Sequence, residues 1–113
     1  MESKKILILS NHFITLYNFR RELIARLISH GHKVYISMPE DERNGYFAQL
    51  GCEIIVTPMS RRGMNPAQDI ALLHQYKRIM REVQPDTIFS YTIKPNIYGT
   101  MASNALHYKQ VCN

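Results

Sequence analysis

The feature that most constrains this chain is an alternation: short apolar runs, each closed by a polar, Gly or Pro stop, are separated by segments of helix length and helix periodicity. Lys5-Ile6-Leu7-Ile8-Leu9-Ser10 is continuous and apolar, then meets Asn11 and His12. That pattern predicts a strand buried on both faces, as a parallel sheet requires. From Leu16 to His30 the residues Leu16, Phe19, Leu23, Ile24, Leu27 and Ile28 recur at spacings of three and four, and Gly31 follows. This predicts an amphipathic helix with a glycine stop. Lys33 to Met38, stopped by Pro39, and Glu53 to Thr57, stopped by Pro58, predict two further strands, with a short helix from about Arg43 to Leu50 between them.

Pro66 follows Asn65, a good N-cap residue, and Asp69 suits the first turn of a helix running to about Val83. Its expected apolar stripe is Ile70, Leu73, Tyr76, Ile79 or Met80, and Val83. Thr87 to Tyr91 predicts a fourth strand. Pro95 and Asn96 open a fourth helix whose small residues Gly99, Ala102, Ser103 and Ala105 suit close packing, and Val111-Cys112 begins a fifth strand. Strand and helix so alternated specify an open parallel α/β sheet, Rossmann-like and three-layered, with right-handed crossovers. At 113 residues the chain is one partial domain by this reading, truncated at about strand five.

Composition narrows the classes. Hydrophobic residues are 45% and Gly plus Pro only 10 of 113, which excludes disordered and collagen-like chains. No stretch of 18 apolar residues and no signal h-region is present, so the expected location is cytoplasmic. Cys52 and Cys112 have neither framework nor zinc spacing, and no metal site is expected. The net charge of +5 favours anionic partners. Nucleic acid fits poorly, for want of helix-turn-helix spacing or an RNP-type aromatic signature. The absence of G-x-G-x-x-G and of G-x-x-x-x-G-K-[ST] disfavours dinucleotide oxidoreductases and P-loop NTPases.

Ligands of open α/β sheets bind beyond the carboxyl ends of the strands, which leaves segments 10–16, 39–43, 58–65 and 91–96 as candidates. Glu40, Asp41 and Glu42 read as a solvated turn. His12 follows strand one into the crevice, or caps backbone groups as a loop residue. Ser60-Arg61-Arg62-Gly63-Met64-Asn65-Pro66 sets two guanidiniums before a helix N-terminus, an anion-binding arrangement, unless they are a solvated pair. Tyr91-Thr92-Ile93-Lys94-Pro95-Asn96 repeats the theme. Arg20, Arg21 and Arg26 form the polar face of helix one, either solvated or lying on acidic lipid.

Taken together, Tyr17-Asn18-Phe19-Arg20, Val34 to Pro39, Leu50-Gly51-Cys52, Ser60 to Pro66 and Tyr91 to Gly99 resemble the N-terminal domain of bacterial family 4-like (GT-B) glycosyltransferases, in the branch that builds capsular, O-antigen and other lipid-linked polysaccharides. The likeness covers nearly the whole chain. It implies the acceptor-binding half of a retaining, metal-independent enzyme, without a cofactor, inactive as this fragment. Its partners would be a nucleotide-sugar, held by an absent C-terminal domain with its E-x7-E motif, and a lipid-linked saccharide at the inner membrane face. By that analogy Asn11, His12 and Tyr17 lie on the cleft floor, Arg61 and Arg62 meet acceptor phosphate or acidic sugar, Asn65 is a further acceptor-side residue of the cleft, and Thr92, Lys94 and Asn96 stand near the reacting groups. Where many relatives carry histidine after strand four, this chain has Tyr91-Thr92, so no catalytic residue is assigned. The alternative is a non-catalytic module docking a separate donor subunit or an acidic membrane surface.

Overall fold

The computed structural model describes residues 3–58, 66–108 and 110–112, the side chains of residues 111 and 112 excepted. Five strands, β1 (Lys5–Leu9), β2 (Lys33–Met38), β3 (Glu53–Val56), β4 (Thr87–Ser90) and β5 (Gln110–Cys112), form one parallel sheet in the order β3-β2-β1-β4-β5. β1 is central, with Ile8 level with Ile36 of β2 and Phe89 of β4. Its four apolar residues are all buried, as their continuous run requires.

The helices are α1 (Phe13–Ser29), α2 (Gly45–Leu50), α3 (Pro66–Val83) and α4 (Ile93–Leu106), with a 3-10 turn at Glu42–Asn44 before α2. The odd and even residues of β1 divide the core between them. Ile6 and Ile8 pack with Phe13, Leu16 and Ile24 of α1 and Phe47 of α2. Leu7 and Leu9 pack with Leu72, Tyr76 and Met80 of α3 and Ala102 of α4. Connections from β1 to β3 run one way along the sheet and those from β3 to β5 run back, so right-handed crossovers put the two helix pairs on opposite faces. This is the Rossmann-like half domain expected from the alternation.

Several boundaries and faces differ from expectation. α1 starts at Phe13, three residues before Leu16, because His12 caps it: the Ile14 amide donates to His12 Nδ1 at 3.0 Å. α4 starts at Ile93, before Pro95; a proline within the first turn removes an N–H that would have no helical acceptor. Phe19 is 71% exposed and Leu23 and Ile70 are also on the surface, while Leu72 takes the buried place expected of Ile70. Ala105 is exposed too, so only Gly99, Ala102 and Ser103 of the small residues meet the sheet side. Periodicity reports that a helix has an apolar face, and these helices carry more apolar surface than the described residues cover.

Gly99 fixes how closely α4 approaches. A Cβ there would lie 2.7 Å from Leu9 Cδ1 and 3.2 Å from Gln110 Nε2. Beside it a polar chain ties α4 to the sheet: Ser103 Oγ donates to Gln110 Oε1 (2.6 Å), Gln110 Nε2 to Ser90 Oγ (2.7 Å), and Ser90 Oγ to Asn96 Oδ1 (2.7 Å).

Candidate functional site

Strand order reverses between β1 and β4, the two strands whose following helices depart to opposite faces. In such sheets the chain itself opens a crevice at that point, beyond the carboxyl ends. Here a cavity of about 230 Å³ lies there, lined by Thr15, Phe19, Arg20, Tyr91 and Thr92. The Arg20 guanidinium stands 5.0 Å from the centre of the Tyr91 ring and donates to the Phe19 carbonyl at 3.0 Å. Stacked on a ring, an arginine keeps most of its N–H edge free for an anion.

Thr92 joins β4 to α4 with φ 74° and ψ 175°, a combination that only glycine adopts without strain. Its hydroxyl donates to the Tyr91 carbonyl and makes no capping bond to α4. The first turn of α4 contains no acid, so its amides and helix dipole present positive potential toward the crevice.

On the other side of α1 a smaller cavity, about 90 Å³, is bounded by Asn11, His12, Phe13, Pro39, Glu40 and Asp41 at the ends of β1 and β2. Asn11 Oδ1 is buried with no hydrogen-bond partner among the described residues. His12 accepts from the α1 amide through Nδ1, which leaves the ring proton on Nε2, and its backbone N–H donates to Ser10 Oγ at 3.3 Å. Asp41 caps the 3-10 turn and pairs with Arg43 at 2.8 Å; the guanidinium holds its carboxyl well below the usual carboxylate range.

Of the residues expected at the site, Thr92 lines the crevice, while Asn11 and His12 line the smaller cavity at the ends of β1 and β2. Tyr17 lies one turn further along α1, in a groove toward α2. Lys94 and Asn96 have other engagements. Lys94 Nζ pairs with Asp69 Oδ1 at 2.8 Å, both side chains largely covered, and Tyr98 donates to Asp69 Oδ2 at 3.2 Å. The Lys94 ammonium chiefly, helped by the Tyr98 hydroxyl, holds the Asp69 carboxyl below its ordinary value. Asp69 therefore does more than complement the dipole of α3: it ties α3 to α4. Asn96 accepts from Ser90. Arg61, Arg62 and Asn65 lie outside the described residues.

Thr15 and Tyr91 fall within the candidate segments 10–16 and 91–96 without being singled out, and Phe19 and Arg20 lie outside those segments. Arg20 was legible only as part of a basic helix face; its nearness to Tyr91 follows from the strand order, which the sequence does not state. Among the described residues no helix is long and apolar enough to cross a membrane.

Residues 5–113 match the family model described as Glycosyl transferase 4-like. A curated relative from Campylobacter jejuni, the N,N'-diacetylbacillosaminyl-diphospho-undecaprenol alpha-1,3-N-acetylgalactosaminyltransferase, is 27% identical over 95 residues, 84% of this chain and 25% of its own. The chain thus spans about a quarter of that relative's length. Among solved structures, a glycosyltransferase from Rickettsia africae superposes with a TM-score of 0.78 at 14% identity, over 99% of this chain and 30% of that one. Acinetobacter baumannii MurG gives 0.73 at 13% identity, over 96% and 33%. A putative UDP-N-acetylglucosamine 2-epimerase from Listeria monocytogenes gives 0.74 at 8% identity, over 99% and 31%. These likenesses establish the shared fold.

Proposed function

The chain belongs to the glycosyl transferase 4-like family, and from that premise we propose that it is the acceptor side of a two-domain glycosyltransferase acting on a lipid-linked saccharide. The observation that carries this reading is the cationic crevice at the β1/β4 reversal, with Arg20 stacked on Tyr91 and the acid-free first turn of α4 beside it. A nucleotide-sugar, held by a second domain, would face this crevice. Transfer passes through a state in which the sugar carbon gains positive charge and the leaving diphosphate gains negative charge. What this half supplies is position: it fixes the acceptor hydroxyl near the donor carbon, and its dipoles and cations hold acceptor phosphate without reorganising.

In this reading Arg20, Asn11 and the α4 amides contact the acceptor, and by the family pattern Arg61, Arg62 and Asn65 are assigned to it as well. His12 acts by capping α1, Lys94 by joining α4 to α3 through Asp69, and Asn96 by joining α4 to β4 through Ser90. By the family pattern, transfer retains anomeric configuration, draws on no metal, and needs the donor half, so this chain alone is inactive. Capsule or O-antigen assembly is the setting we infer.

The test uses the intact enzyme with a radiolabelled nucleotide-sugar and an undecaprenyl-diphosphate saccharide. Arg20→Ala should lower kcat/KM for the acceptor at least tenfold, about 1.4 kcal/mol. A rate within about twofold of wild type would remove Arg20 from the site, and the crevice reading with it.

One observation favours a membrane-facing surface as well. Phe19 and Ile93 are 71% and 75% exposed, close to Arg20 and the crevice mouth. An apolar wedge beside arginines suits an acidic bilayer. Flotation with anionic vesicles should carry the protein at low salt and lose it at high salt; equal flotation with neutral vesicles would count against this surface.

A further inference from the structure

We propose that the groove between α1 and α2 is a second saccharide site, taking a neutral pyranose ring of a glycan. The choice of a glycan rests on the acceptor-side reading above. The groove itself is a separate observation: a cavity of about 540 Å³, open to solvent, with Phe13, Tyr17, Tyr46 and Gln49 along its walls. That volume is within the usual range for small-ligand sites, roughly 300–1,000 Å³.

Its walls are built from rings set at angles to one another. Phe13 and Tyr17 stack at 5.5 Å, Tyr46 meets Tyr17 edge-on at 5.0 Å, and buried Phe47 supports Phe13 from below at 5.4 Å. Packing alone accounts for Phe13 and Phe47. It does not account for Tyr46, 38% exposed. The hydroxyls of Tyr17 and Tyr46 and the amide of Gln49 have no hydrogen-bond partner among the described residues.

The chemistry selects the occupant. Arg43 lies over the Phe13 ring at 5.0 Å and Arg21 over the Tyr17 ring at 4.5 Å, which leaves the exposed Tyr46 as the ring to meet the apolar C–H face of a pyranose, with phenol and amide groups for its rim of hydroxyls. An isoprenoid chain would cover the same rings but leave those polar groups desolvated and unpaired, at a cost of about 1–3 kcal/mol each. A phosphate is not called for either, because Arg43, the cation of this groove, is already neutralised by Asp41 at 2.8 Å. Position adds to this. Phe13 lines both this groove and the small cavity at the ends of β1 and β2, which sets the groove beside Asn11 and His12.

Gly45 supplies a clean test. It opens α2 with helical backbone, and a Cβ there would meet nothing within 4 Å, so Gly45→Leu can fill the groove without disturbing the fold. Amide spectra of the isotope-labelled protein are followed while chitotetraose and, separately, maltotetraose are added. Saturable shifts are expected at residues 13–17 and 45–49 with at least one of the two sugars. Gly45→Leu and Tyr46→Ala should each weaken that binding at least fivefold, with Ile70→Ser, exposed on α3 across the sheet, unchanged. Saturable shifts centred elsewhere, no saturable shift with either sugar, or affinities within twofold in both groove variants would each overturn the proposal. The two readings fail separately. Binding here by a protein that transfers no sugar when intact keeps this site and removes the enzyme; undisturbed transfer with no binding here removes this site alone.

Discussion

Thr92 concentrates what is unusual at the residue scale. A β-branched residue in a glycine-only conformation costs about 1–3 kcal/mol, and here it stands where β4 hands over to α4 at the crevice. Thr92→Gly should therefore raise stability by about 1 kcal/mol, the relief of strain exceeding the added freedom of the unfolded chain. Urea unfolding followed by circular dichroism measures this, and a lower midpoint would mean that the threonine is comfortable as it stands. In the intact enzyme the same change should cost acceptor turnover, because a loosened junction no longer aims the α4 amides. The family resemblance singled out Thr92 as standing near the reacting groups, but not its backbone; a dihedral has no signature in residue type. Lys94 illustrates the complementary difficulty. A lysine after a strand end reads as a free cation, whereas its partner Asp69 lies 25 positions away and is reached only once α3 and α4 pack together.

At the scale of elements, strands were the most legible part. Continuous apolar runs bounded by Gly, Pro or Asn located all five, and α3 runs from Pro66 to Val83 as its cap and stop signals require. Helix starts were harder. Histidine is a weak N-cap signal, so α1 was placed three residues late, and Pro95 was taken as a beginning though it occupies the third helical position. The small residues of α4 carried real information. Because a Cβ at position 99 would come within 2.7 Å of Leu9, itself fully buried, Gly99→Ala should push α4 outward at a cost of about 1–3 kcal/mol despite alanine's better helix propensity. Thermal unfolding tests this. A gain in melting temperature would mean that Leu9 can turn aside freely.

For the whole molecule, the Asp69–Lys94 pair couples the third and fourth helices on one face of the sheet, and its charge gives stability a pH dependence. The folded value of Asp69 is depressed, so its contribution is present at any pH above the ordinary carboxylate value of about 3.9 and is lost as pH falls through the lowered folded value. Asp69→Asn should thus be less stable than wild type at pH 7, with the gap closing in acid below about pH 4. Urea midpoints at pH 7, 5 and 3 for both proteins measure it; a gap unchanged across that range would show that shape and not charge makes the contact. The order of strands, and hence which loops converge, was outside the reach of the sequence. It is that order which puts α1 between two cavities, with Thr15, Phe19 and Arg20 on one side and Phe13 and Tyr17 on the other. On the two proposals made above, one helix of 17 residues is a single inheritable cassette for two selectivities. Grafting it between relatives should transplant both together, and a lineage changing its sugar would be expected to rewrite this stretch first.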